Sequence, residues 1–122
     1  MSHVVTIATE IRDLEGLCLG CHRLKIPQPV HGTHRLFSAE HAGYAVQLDG
    51  WRYPVVCDLE KHEVHFDNFN GRWGLPERLD ELHQVYAVER TKLEARKHGH
   101  KVTEQSLADG SIKLTVQVGG AV

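Results

Sequence analysis

The residues with the most chemistry in their spacing are Cys18, Cys21 and His22, in the stretch CLGCH. C-x-x-C-H is the pattern of covalent c-type haem attachment. Haem would also need a distal ligand, an apolar pocket and an export route. The start of the chain, MSHVVTIATEIRD, lacks the basic stretch and long apolar middle of a secretory signal. A cytoplasmic setting with free thiols is therefore the expectation, and no cofactor is expected. Zinc is the stronger rival, because His31 and His34 follow and would complete a set of two thiolates and two imidazoles. Against it, the gap from Cys21 to His31 and the His-x-x-His spacing are both shorter than in zinc fingers. A redox thiol pair belongs at a helix N-terminus after a strand, whereas this pair falls a turn or more into a helix. The remaining reading is packing, since a small thiol on an apolar stripe behaves as a core residue.

Other sites weigh differently. His62-Glu63-Val64-His65 is one residue short of the zincin pattern and reads as a turn entering a strand, where His62 and His65 point to opposite faces. Two segments combine aromatic rings with arginine. WRYP carries Trp51, Arg52 and Tyr53, and NFNGRWG carries Asn68, Phe69, Asn70, Arg72 and Trp73. Trp and Arg together are the composition of interaction hot spots. The candidate binding surface is Trp51, Arg52, Tyr53, Asn70, Arg72 and Trp73, against the alternative that the rings are core beneath the loops. Exposure of the tryptophans discriminates the two. Glu89 interrupts an apolar helix stripe and needs a partner such as an arginine or backbone donors, a structural ion pair being favoured over a general base. The ending VQVGGAV carries Gly119-Gly120, which raises a ubiquitin-like modifier as an alternative, with a flexible tail over 119–122 as the default.

These residues need elements to hold them. Val5, Ile7 and Ile11 alternate as a strand. Asp13 then caps a helix whose apolar positions are Leu14, Leu17, Cys18, Cys21 and Leu24, with Gly16 and Gly20 permitting close approach of a neighbour. Pro27 and Pro29 end that helix. HRLFS, GYAVQL, WRYPVVCD and EVHFDNF are short strands with hairpin-length links, which implies an antiparallel meander. Pro54 marks an edge or a strand start. Pro76 opens a second helix to about His98, buried through Leu79, Leu82, Tyr86 and Leu93 and helped by Val85 and Ala87; Gly99 lies just past its end. Asp109-Gly110 turns a terminal hairpin in which Ile112, Leu114, Val116 and Val118 share the half-buried face. The expected fold is α+β in the order β-α-β-β-β-β-α-β-β, with two amphipathic helices on one face of a largely antiparallel sheet.

The 122 residues fit a single domain over 1–122. A net charge of -2 gives no phosphate-seeking surface, so no nucleic acid is expected. No apolar run reaches membrane-span length, so no membrane is expected.

MSHVVTIATEIRD, GWRYPVVCD, FDNFNGRWG, YAVERTKLEARKHGH and VTEQSLADGSIKLTVQVGG together resemble the hypothetical chloroplast reading frame 35 family, whose members occur in cyanobacteria, algal plastids, other bacteria and phages. The resemblance spans nearly the whole chain. It implies a small soluble α+β protein and supplies no catalytic residues. Bacterial members are said to be encoded near AAA-type ATPases, which implies a role in a larger assembly. The expected function is a non-enzymatic accessory or adaptor protein acting on an unknown protein partner, for which the resemblance implies an AAA-type ATPase. The alternatives are a ligand- or metal-binding or enzymatic domain and the ubiquitin-like modifier.

Overall fold

Local chemistry places each element of the computed structural model, which describes residues 3–118. The order is β1 (Val5–Ala8), α1 (Leu14–Leu24), β2 (Val30–Arg35), β3 (Glu40–Val46), β4 (Val55–Asp58), β5 (Glu63–Phe66), α2 (Pro76–Lys97), β6 (Lys101–Ser106) and β7 (Ile112–Gln117). The Asp13 carboxylate accepts the Gly16 N–H at 2.8 Å and opens α1. Lys25, in the left-handed conformation, closes it. Pro76 takes the first position of α2, and the Gly99 N–H bonds Arg96 O just past its end. Pro54 immediately precedes β4 and so costs that strand no ladder bond.

The first five strands form one antiparallel sheet in the order β1-β5-β4-β3-β2. Its register sets two faces. Ile7, Val64, Cys57 and Tyr44 form one row across the sheet, and Thr6, His65, Val56 and Ala45 form the next. The first row faces the helices and joins Leu17 and Cys21 of α1 and Leu79, Leu82 and Tyr86 of α2 in the main core. The α+β class, with two helices on one sheet face, is therefore present. The helices touch closely because α1 turns glycines toward α2. A Cβ on Gly16 would lie 3.0 Å from the Tyr86 ring, and one on Gly20 3.3 Å from Val85 Cγ2. The α1 stripe is correspondingly rotated from the sequence expectation: Leu17 and Cys21 are buried, while Leu14 is exposed and Cys18 only half-buried. On α2, Ala87 is exposed and Val88 is buried in its place, because α2 packs on more than one side.

Three corrections concern strands. HRLFS is strand only in His34 and Arg35: β2 starts earlier, at Val30, and ends at Arg35, and Leu36–Ala39 form the hairpin turn, with Leu36 N–H bonding Ala39 O. The β2–β3 hairpin also leaves the plane of the sheet. Gly32 and Gly43 pair at φ +153° and +151°, in a region that L side chains rarely adopt. Beyond them, His41 stacks on His65 of β5 at 4.2 Å and Phe37 reaches Trp73 at 5.2 Å. The hairpin thus folds over the outer face, and Leu36, Val56, Ala45 and His65 are buried there. Finally, β6 and β7 do not join the main sheet but form a two-stranded sheet of their own. Among the described residues no helix is long and apolar enough to cross a membrane.

Candidate functional site

The two arginine–aromatic segments meet. The Arg52 N–H donates to Trp73 O at 2.8 Å, which ties the β3–β4 connection to the loop before α2. That loop is shaped by Asn68, whose carbonyl accepts the N–H groups of Gly71 and Trp73 and whose side-chain amide donates to Gly74 O at 3.1 Å. Phe69 and Asn70 take positive φ within a single 3-10 turn, Phe69–Gly71. Trp73 is the ring at the centre. Phe37, Tyr53 and Phe69 lie 5.2, 5.7 and 4.8 Å from it, the last two edge-on. The Arg52 guanidinium lies 4.8 Å over Trp73 and 5.7 Å from the centre of the Tyr53 ring, and Arg72 lies 5.1 Å over Phe69. Arg52, Asn70 and Arg72 are exposed, while Tyr53, Phe69 and Trp73 are half-buried. Neither Arg52 nor Arg72 has a carboxylate partner among the described residues.

Trp51 leaves the expected surface. It is 5% exposed, its Nε1–H donates to Leu75 O at 2.9 Å, and Gly74 packs so tightly on its indole that a Cβ would fall 2.4 Å from the ring. It is a core residue that fixes the loop beneath the surface. Phe37 enters the cluster instead and is 49% exposed. The sequence reading set Phe37 inside the strand HRLFS, and only the folded-over hairpin carries it to Trp73. Asp67, at the root of the loop, is buried. Its Oδ1 accepts the Phe69 N–H at 3.2 Å, and its Oδ2 has no partner among the described residues.

The Cys/His set does not assemble. No group of three or more His, Cys, Asp or Glu among the described residues is placed to hold a metal. Cys21 packs in the core. His31 stacks on Tyr44 at 4.7 Å, and His34 Nε2 donates to Val30 O at 2.8 Å. Burial pushes the Cys21 thiol up to about 11 and the Cys57 thiol to about 12, so neither supplies a thiolate nucleophile near neutral pH. His65 Nδ1 lies 2.8 Å from Thr6 Oγ1. Burial, and secondarily His41, lowers the His65 pKa, favouring the neutral ring. Glu89 finds the cations it requires, in Arg23 at 3.2 Å and Lys92 at 3.4 Å. Both cations also bond Glu104 of β6, whose carboxyl they hold down at about 2. Gly119-Gly120 lies outside the described residues.

Comparison of the chain with protein-family models, curated proteins and solved structures returns no match.

Proposed function

We propose that this protein is a non-enzymatic docking module that holds an acidic segment of a partner protein on Arg52, Tyr53, Phe69, Arg72 and Trp73, with Phe37 at the rim. One observation carries the reading: two exposed guanidinium groups lie on aromatic rings and have no carboxylate partner among the described residues. A guanidinium held over a ring by a cation–π contact, with no carboxylate partner, keeps N–H donors free for a carboxylate. The ring beneath pre-orients it, which lowers the ordering cost of binding. The half-buried rings beside it supply apolar area for the residues flanking the acid. An AAA-type ATPase, the partner implied by the family resemblance, is the first assembly to test.

The test is affinity capture from the native cell with the unaltered chain and with Arg52→Glu/Arg72→Glu. The reading expects a partner that is retained by the first, lost by the second and released by moderate salt. Retention of the same proteins by both chains would sink it.

A further inference from the structure

A second surface, remote in sequence from the arginine–aromatic cluster, has a different chemistry. An open groove of about 820 Å³ runs between β1 with the segment after it and one flank of α2, within the size range of small-molecule sites. Thr9 and His83 form its fixed wall. Leu79 O lies 3.2 Å from His83 Nδ1, and a carbonyl only accepts, so Nδ1 carries the proton. His83 Nε2 therefore accepts from the Thr9 hydroxyl at 2.8 Å, and that oxygen in turn accepts the Ile11 N–H at 3.1 Å. Each of these groups is engaged, so the pair is a brace and not a free nucleophile and base.

Tyr86 is different. Its ring is 4% exposed, and its hydroxyl oxygen accepts the N–H groups of Arg12 and Asp13, each at 3.1 Å. Both acceptor positions are filled, and the hydroxyl proton has no acceptor among the described residues. A hydroxyl in that state, on a residue that lines the groove, offers its proton to an acceptor placed there. Arg12 and Arg90 line the same groove. Arg90 gives one nitrogen to Glu94 at 2.9 Å, and Arg12 stands 3.6 Å from Glu10, so both guanidinium groups keep donors to spare. Two carboxylates also line the groove: Asp13 spends one oxygen on the Gly16 N–H, and the exposed Glu10 stands 3.6 Å from Arg12, so a bound carboxylate competes with both for the guanidinium groups. Ile7, Ala8 and Ala87 make the rest of the groove apolar.

We propose that this groove binds a small monocarboxylate, with its carboxylate on the Tyr86 hydroxyl and the Arg12 and Arg90 guanidinium groups and its apolar body along Ile7, Ala8 and Ala87. The site is separate from the docking surface and stands or falls independently of it.

The test is a backbone amide NMR titration of the full chain with 4-phenylbutyrate and with its neutral match, 4-phenylbutanol. Saturable shifts centred on Ala8, Arg12, Asp13, Ala87 and Arg90 are expected with the acid, and at least about tenfold weaker binding of the alcohol. Tyr86→Phe strands two backbone N–H groups and can fail by unfolding, so Arg12→Met/Arg90→Met is the second variant; it leaves Tyr86 intact and is expected to weaken the acid about tenfold or more. Equal binding of acid and alcohol, unchanged binding in the double variant, or no saturable shift with phenylbutyrate overturns the proposal. So does tighter binding of an acetylated tripeptide acid than of phenylbutyrate, which would assign the groove to chain termini.

Discussion

Two hairpins of this protein invert what their sequences advertise. HGTHRLFSAEHAG, in β2–β3, is rich in histidine and glycine and shows little amphipathic pattern, yet Leu36 at its turn is wholly buried and the hairpin roofs the outer face of the sheet. SIKLTVQV, in β7, alternates cleanly, yet Val116 is 43% exposed and Val118 76%. The first hairpin is attached by close packing around Gly43 and by ring stacking. The second is attached through Glu104 to Arg23 and Lys92 and through the Gln84 side chain, which donates to Gly110 O at 3.1 Å. Periodicity states which side chains share a face. It does not state how completely that face is covered, which depends on what the rest of the chain brings to it.

The comparison predicts a graded set of losses. The largest is expected from Gly43→Ala. Its Cβ would lie 2.6 Å from the Cys57 carbonyl oxygen, in a strained backbone region, and because the clash is with strand backbone there is little room to relax. A loss above about 4 kcal/mol in denaturant unfolding is expected, enough to abolish folding of a marginal domain; a wild-type midpoint would break the account of the fold-over. Leu36→Ala is next, at about 2–5 kcal/mol. The matched truncation Leu114→Ala, at a half-buried position of β7, is expected to cost less than half as much by the same measurement. Equal losses would erase the distinction between the hairpins. Third comes Glu104→Gln, on the order of 1 kcal/mol because its partners are partly solvated. Hydrogen exchange should quicken at β6 and β7 amides and stay unchanged at β4 and β5.

The smallest effects are in pH, and they separate the two hairpins by window. His65 has a folded-state pKa below its ordinary 6.5, from burial first and His41 second, with Glu63 and Asp58 opposing and Lys61 reinforcing. Its contribution is present above pH 6.5 and declines as pH falls through 6.5 toward the lowered value. Glu104 drops from 4.5 to about 2, so its contribution is present above pH 4.5 and is lost as pH falls through about 2. Amide exchange followed from pH 7 downward should therefore loosen β2–β3 before β6–β7. The reverse order would contradict both assignments.

Much of the fold was legible because local chemistry decides it. Asp13, Pro76, Gly99 and Asp109-Gly110 mark ends and turns by capping and φ preference alone, and the element order follows from them. The candidate surface was half legible. WRYP and NFNGRWG announce their arginines and rings, but the pairing of Arg52 N–H with Trp73 O is a contact between distant segments. The same contact layer sends Trp51 inward and Phe37 outward, and two indoles in similar company read alike in one dimension. The groove was not legible at all, since Thr9, Tyr86 and Arg90 share no motif and meet only where β1 passes α2.

By itself the sequence determined the element types, their order, the α1 cap and the room that Gly16 and Gly20 leave for a neighbouring element. These depend on backbone preference and side-chain size within a few residues. Only the tertiary structure decided that Cys21 enters the core while Cys18 stays half-buried, that the terminal hairpin stands as its own sheet, and that the Tyr86 hydroxyl, which accepts two backbone N–H groups, lines a groove. Those outcomes depend on which surfaces meet, and a buried group's chemistry is set by the neighbours that replace water around it.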